Sequence, residues 1–164
     1  MNKSAIAAIV IAVGIAAFAQ SILLPPTDGG QAGKGGAAAI VNDNGDLEIP
    51  VADITEDASF FSYDELDSKM EIIAVRASDG TIRTAFNTCQ VCYNSGKGYY
   101  KQEGDLLICQ NCGNQFAMDD VGIAKGGCNP VPITGEDRIE KEDTIIIPRE
   151  FLEEAQVIFE NWKL

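Results

Sequence analysis

Histidine is absent from the 164-residue chain, and with it go imidazole metal ligands, a histidine general base and any Ser/His/Asp arrangement. Basic residues are scarce as well. Lysine and arginine number 12 against 25 acidic residues, and a formal net charge of -13 repels phosphate backbones, so a nucleic-acid partner is excluded from the reading. No glycine-rich loop stands between a strand and a helix to hold a nucleotide, and there is no internal repeat. The chain reads as non-enzymatic, with electron transfer as the exception. Its apolar fraction of 46% is nevertheless that of a folded domain.

The amino-terminal stretch "MNKSAIAAIVIAVGIAAFAQSILLPP" carries one lysine ahead of an apolar run. Ala17-Phe18-Ala19 has the small-x-small form of a signal-peptidase site, which predicts a signal peptide. Counted from Ala5 to Leu24 the segment is also 20 residues, about the length that spans the hydrocarbon core as a helix, so an uncleaved anchor is the alternative. In both cases Lys3 stays on the cytoplasmic side, and the acidic remainder lies outside the cell membrane, anchored or secreted. We therefore assign residues 1–24 to a signal peptide or membrane anchor. Residues 25–41, with "TDGGQAGKGGAAA" at their centre, form a glycine-rich linker, and residues 42–164 form an extracytoplasmic domain.

Within that domain short strand-like runs alternate with turn signals. "MEIIAVRAS" and "TIRTAFN" flank Asp79-Gly80, and "YYKQEGDLLIC" folds about Glu103-Gly104-Asp105, so both predict hairpins. "DTIIIP" supplies a late strand. The fold class is mainly β, a small antiparallel domain with two metal-binding loops. A carboxy-terminal amphipathic helix follows from Phe151, Leu152, Ala155, Ile158, Phe159 and Trp162, with Pro148 at its first position. Its apolar stripe packs on the domain's own sheet or docks to a membrane partner.

All five cysteines fall between Thr88 and Pro130. Cys89 with Cys92 and Cys109 with Cys112 make two C-x-x-C pairs separated by sixteen residues, and two such turns joined by a hairpin can set four thiolates around one metal. Gly113 lets the second turn close sharply. With sulfur as the ligand, the spacing selects zinc, iron, an iron-sulfur cluster or copper(I) over magnesium and calcium. Disulfides would leave one thiol over from an odd count, and a thioredoxin-like redox pair would need a βαβ setting that is not present. A structural zinc site stays open. Cys128, in "GGCNP", is a further candidate ligand, a hydrogen-bond partner of the site, a redox-active neighbour or a small buried residue. Tyr99 and Tyr100 read as core-filling aromatics that alternatively bond cluster sulfurs, and Met118-Asp119-Asp120 reads as a turn.

The run from Cys89 to Ile133, C-x-x-C, "GYY", "LLICQNCGNQF" and "GGCNPVPI", resembles the FtrD-like family of membrane iron-sulfur proteins, associated with bacterial iron transport. The same stretch is similar in layout to a Rieske domain or a zinc ribbon. It departs from the Rieske pattern in carrying Cys92 and Cys112 where the two histidines would stand. Replacing two neutral imidazoles with thiolates adds negative charge, which favours the oxidised state and lowers the reduction potential. The resemblance implies an iron or iron-sulfur centre held by Cys89, Cys92, Cys109 and Cys112, with a role in iron uptake or electron transfer. A permease or redox partner belongs to that reading. The alternative is a zinc-stapled interaction module that partners a membrane permease.

Overall fold

The run Met70–Arg76 is buried along nearly its whole length, as a strand covered on both faces must be. It sits in the middle of a computed structural model that describes residues 39–164. The expected signal peptide or anchor, and residues 25–38 of the expected linker, lie outside the described residues. Eleven strands follow in chain order: β1 Ile40–Val41, β2 Leu47–Pro50, β3 Ser59–Tyr63, β4 Met70–Arg76, β5 Ile82–Cys89, β6 Tyr100–Glu103, β7 Leu106–Cys109, β8 Gln115–Ala117, β9 Pro130–Ile133, β10 Ile139–Glu140 and β11 Thr144–Ile147, before helix α1, Arg149–Ala155. The pairing begins just inside the expected linker, because Ile40 and Val41 pair with Glu48 and Leu47.

The strands form three antiparallel sheets, ordered β1-β2-β11-β10, β3-β4-β5-β9 and β6-β7-β8. The fold is mainly β, as the alternating runs require. Alternation along β4 and β5 divides the core in two. Ile72, Ala74 and Phe86 face Leu47, Ile49, Ile145 and Ile147 of the first sheet, whereas Ile73, Val75 and Ala85 face Leu107 and Phe116 of the third. Both hairpins form as the turn residues predict: Gly80 N–H donates to the Ala77 carbonyl at 2.8 Å, and Glu103 pairs with Leu106 across Gly104-Asp105.

The carboxy-terminal helix is shorter than the apolar spacing predicts. Pro148 caps it instead of occupying its first turn, the helix ends at Ala155, and a 3-10 turn, Gln156–Phe159, follows. The reason lies in competing backbone bonds. Asn161 and Trp162 carbonyls accept from the N–H groups of Gly96 and Gly98, both at 2.8 Å, and Lys97 forms a single bridge with Lys163, so these carbonyls are taken by the first cysteine loop and not by a continuing helix. The apolar residues still pack on the domain's own core. Phe151 stacks on Phe86 at 5.5 Å, Phe159 meets Phe86 and Trp162 edge-on, and Trp162 Nε1 donates to the Lys69 carbonyl at 3.1 Å. Among the described residues no helix is long and apolar enough to cross a membrane.

Leu152, fully buried beneath α1, should cost about 2–5 kcal/mol of stability when replaced by alanine, read as a lowered urea midpoint with an unchanged slope.

Candidate metal centre

Each C-x-x-C pair ends a strand, Cys89 at the end of β5 and Cys109 at the end of β7. The two turns are built alike. Tyr93 N–H donates to the Cys89 carbonyl at 3.0 Å, and Gly113 N–H donates to the Cys109 carbonyl at 2.9 Å. In the first turn the N–H groups of Val91 and Cys92 point at the Cys89 sulfur, and in the second those of Asn111 and Cys112 point at the Cys109 sulfur. Gly113 takes φ 73°, the left-handed backbone expected of it. The first turn instead closes over Gly98, where an added Cβ would stand 2.3 Å from the Cys92 carbonyl oxygen. Only glycine fits there.

A register shift aims the first turn. Thr84, Ala85 and Phe86 pair in step with Ile133, Pro132 and Val131, but Pro130 then pairs with Cys89, so Asn87 and Thr88 are extra residues on β5. Asn87 is buried, and its amide replaces the missing ladder. Its Oδ1 accepts from Tyr100 N–H at 2.8 Å, and its Nδ2 donates to the Tyr100 carbonyl at 3.3 Å and to the Glu71 carboxylate. Tyr100 is thereby fixed beside Cys89, with its hydroxyl reaching both the Cys128 carbonyl oxygen, at 2.8 Å, and the Cys89 sulfur. Tyr100 therefore lies in the core and also serves the sulfur site. Tyr99 meets the Trp162 ring edge-on and fills space.

The five sulfurs form two triangles that share Cys92. Those of Cys89, Cys92 and Cys109 lie within 4.8 Å of one another, as do those of Cys92, Cys112 and Cys128. None of the five is in a disulfide. The first triangle belongs to the core, with Cys89 fully buried, while Cys112 is exposed and Cys128 half-buried. An inner and an outer set result. Met118, Asp119 and Asp120 form a 3-10 turn whose Met118 is buried in the same cluster as Cys89, Cys92 and Cys109, while the Asp119 carboxylate turns to Ser78, accepting from its N–H and Oγ at 2.7 and 2.6 Å.

Burial pushes the Cys109 thiol up to about 12, and the N–H groups of Cys112 and Asn111 offset only part of it. At Cys89 burial also acts upward, but the Tyr100 hydroxyl and the N–H groups of Val91 and Cys92 together bring the thiol below its ordinary value. Cys92 is raised, by burial first and also by the neighbouring Cys89, while the Asn111 side chain pulls the other way. On the outer side Asn114 N–H lowers Cys112, whereas Cys128 is held up at about 12, chiefly by its hydrogen bond to Cys112. Negative charge is thus favoured at one sulfur of each triangle, Cys89 and Cys112, and opposed at Cys92, Cys109 and Cys128.

The donor set fits a soft cation or an iron-sulfur centre: sulfur alone, aimed N–H groups, a dry inner side and an open outer side. The cysteine spacing pointed to converging sulfurs, but with Cys89, Cys92, Cys109 and Cys112 in one group; Cys112 instead groups with Cys92 and Cys128. Asn87, Gln90, Gly98 and Asn114 were missed. Gln90 and Gln110 occupy the same place in a repeated C-Q-x-C, and Asn87 interrupts an apolar strand just before a cysteine; both were signals in the sequence.

The profile of the family described as "Membrane iron-sulfur containing protein FtrD-like" matches residues 54–159, which take in both turns and Cys128. No curated protein and no solved structure matches the chain.

Three outcomes follow from the site. Gly98→Ala should displace the Cys92 carbonyl and weaken metal retention in a chelator competition, while a Gly135→Ala control, at an uncrowded glycine without positive φ, leaves it unchanged. Protons compete with metal for the thiols, so cobalt(II) affinity should rise with pH, by about tenfold per pH unit for each thiol still protonated. Metal-free protein should show the reverse. The raised Cys109 and Cys128 thiols favour folding below their ordinary value of 9.0, and that contribution is lost as pH climbs toward about 12, which thermal melts at pH 8 and 11 would register.

Proposed function

We propose that the chain, which belongs to the FtrD-like family of membrane iron-sulfur containing proteins, holds iron or an iron-sulfur cluster with Cys89, Cys92, Cys109 and Cys112. It does so on the extracytoplasmic side of the cell membrane and serves iron uptake, passing electrons or handing over metal. The convergence of the sulfurs from two matched turns and a third loop carries this reading. A bound iron-sulfur cluster would supply one-electron transfer at the site.

The chain's own part is electrostatic. The N–H groups of Val91, Cys92, Asn111 and Cys112 offset negative charge on Cys89 and Cys109, and Leu107 and Phe116 keep water from that side. Cys112, on the exposed side, is where a redox partner or a metal acceptor can approach. The three-sheet layout, with one cysteine turn after β5 and the other after β7, supports the Rieske-like reading. All-thiolate ligation in place of two imidazoles supports a low reduction potential. The segment 1–24 is read as the membrane attachment, with a permease or redox partner beside it. Lacking histidine, the chain has no imidazole for acid–base catalysis, and we read it as non-enzymatic.

Zinc held as scaffold is the second reading, favoured by the likeness of the two turns, which suits one tetrahedral ion. The fifth sulfur and the exposure of Cys112 weigh against a closed four-thiolate site. Anaerobic reconstitution of the full chain with ferrous iron and sulfide separates the two. A coloured protein with broad visible absorption, a paramagnetic signal on reduction and a midpoint below about -150 mV is expected. A colourless protein that retains only zinc overturns the iron reading.

A further inference from the structure

Two C-x-x-C turns supply four sulfurs, yet the outer triangle draws on a third loop. That loop is tied to both turns. The Cys128 carbonyl accepts from Tyr100 Oη at 2.8 Å and from Asn114 Nδ2 at 2.9 Å. On the first turn Gln90 N–H donates to the Asn129 carbonyl at 3.0 Å, Gln90 Nε2 donates to the Pro130 carbonyl at 3.2 Å, and Gln90 Oε1 accepts from Gly126 N–H at 2.9 Å. Asn114 follows the second turn directly. Backbone placement of Cys128 is thus fixed from both sides.

The side chain packs against the sulfur half of the core without being enclosed by it. Cys128 is only half-buried, and its sulfur lies within 4.8 Å of those of Cys92 and Cys112. On its amino-terminal side Gly126 and Gly127 take φ 82° and 77°, and a Cβ added at either would meet nothing within 4 Å. Gly126 and Gly127 thus leave open space beside Cys128, and with the backbone held the exchange calls on rotation of the side chain alone. Cys112, which shares the outer triangle, is the exposed member of the five. Two sulfurs of similar reach, one exposed and one on an open loop, face the same buried partner, Cys92.

We propose that Cys128 is a reserve ligand that exchanges with Cys112 at the outer metal position. This deepens the iron reading above and rests on it for the identity of the metal. With a metal bound, Cys112 and Cys128 would be alternative donors beside Cys92: one metal–sulfur bond would break as the other formed, the proton of the incoming thiol would pass to the departing thiolate, and no electron would be gained or lost. Cys92 would hold on throughout. The arrangement suits a centre that must present metal outward without releasing its grip.

Cobalt(II) titration of the full chain tests this independently of iron, because the thiolate charge-transfer band reports bound sulfur. Cys112→Ser and Cys128→Ser should each bind cobalt within about threefold of the parent affinity, and the double variant should bind at least tenfold more weakly. Emission from the buried Trp162 verifies folding of each variant. If Cys112→Ser loses cobalt as fully as the double variant, the exchange is refuted. A second measurement needs no variant: limited alkylation of the cobalt-loaded parent should place a single label on either Cys112 or Cys128, with Cys89 and Cys109 protected. A label confined to one of the two also refutes it. Parent protein that shows this behaviour with cobalt but takes up no iron or sulfide leaves the exchange standing and removes the iron reading, whereas a parent that binds neither metal removes both.

Discussion

Five sulfurs drawn into two small triangles cannot all carry negative charge unless a cation lies among them. Burial at Cys109, and at Cys128 the hydrogen bond to Cys112, hold those two thiols above their ordinary value, while the Tyr100 hydroxyl and the N–H groups of Val91 and Cys92 stabilise charge at Cys89. The metal-free site is a compromise between these pressures, with charge favoured at some positions and opposed at others. A soft positive ion resolves it, and the rest of the domain can be read as apparatus for keeping the sulfurs together in the meantime.

That apparatus is distributed along the chain. The first turn closes over Gly98, whose N–H is held by the Trp162 carbonyl, and Trp162 is in turn set in the aromatic cluster with Phe86, Phe151 and Phe159. Thr88, next to the first cysteine, donates to the Ile158 carbonyl at 3.3 Å. The carboxy-terminal segment therefore braces the cysteine site as well as covering the core. The second turn depends instead on the small sheet β6-β7-β8, where Tyr100 pairs with Cys109 and so ties one cysteine turn to the residue that serves the other.

Much of this was legible from residue order. Strand alternation gave the β class, Asp79-Gly80 and Gly104-Asp105 gave the hairpins, and the spacing of the C-x-x-C pairs gave the meeting of sulfurs. The helix end was not legible, because apolar spacing past Ala155 reports which side chains are buried and not which carbonyls are taken by Gly96 and Gly98. The β5 register shift was equally hidden. It depends on a single buried amide, Asn87, which substitutes for strand pairing through tertiary contacts that no local window records.

The register shift on β5 inserts a pair of residues, and the parity of that number matters. Phe86 faces the aromatic half of the core while Ala85 and Cys89 face the sulfur half. Side chains on a strand change sides at every step, so a pair of added residues restores the original facing, whereas a single one would have swung Cys89 in among the phenylalanines. Length variation in this strand is therefore quantised: even insertions or deletions can keep a working centre, and odd ones turn it inside out.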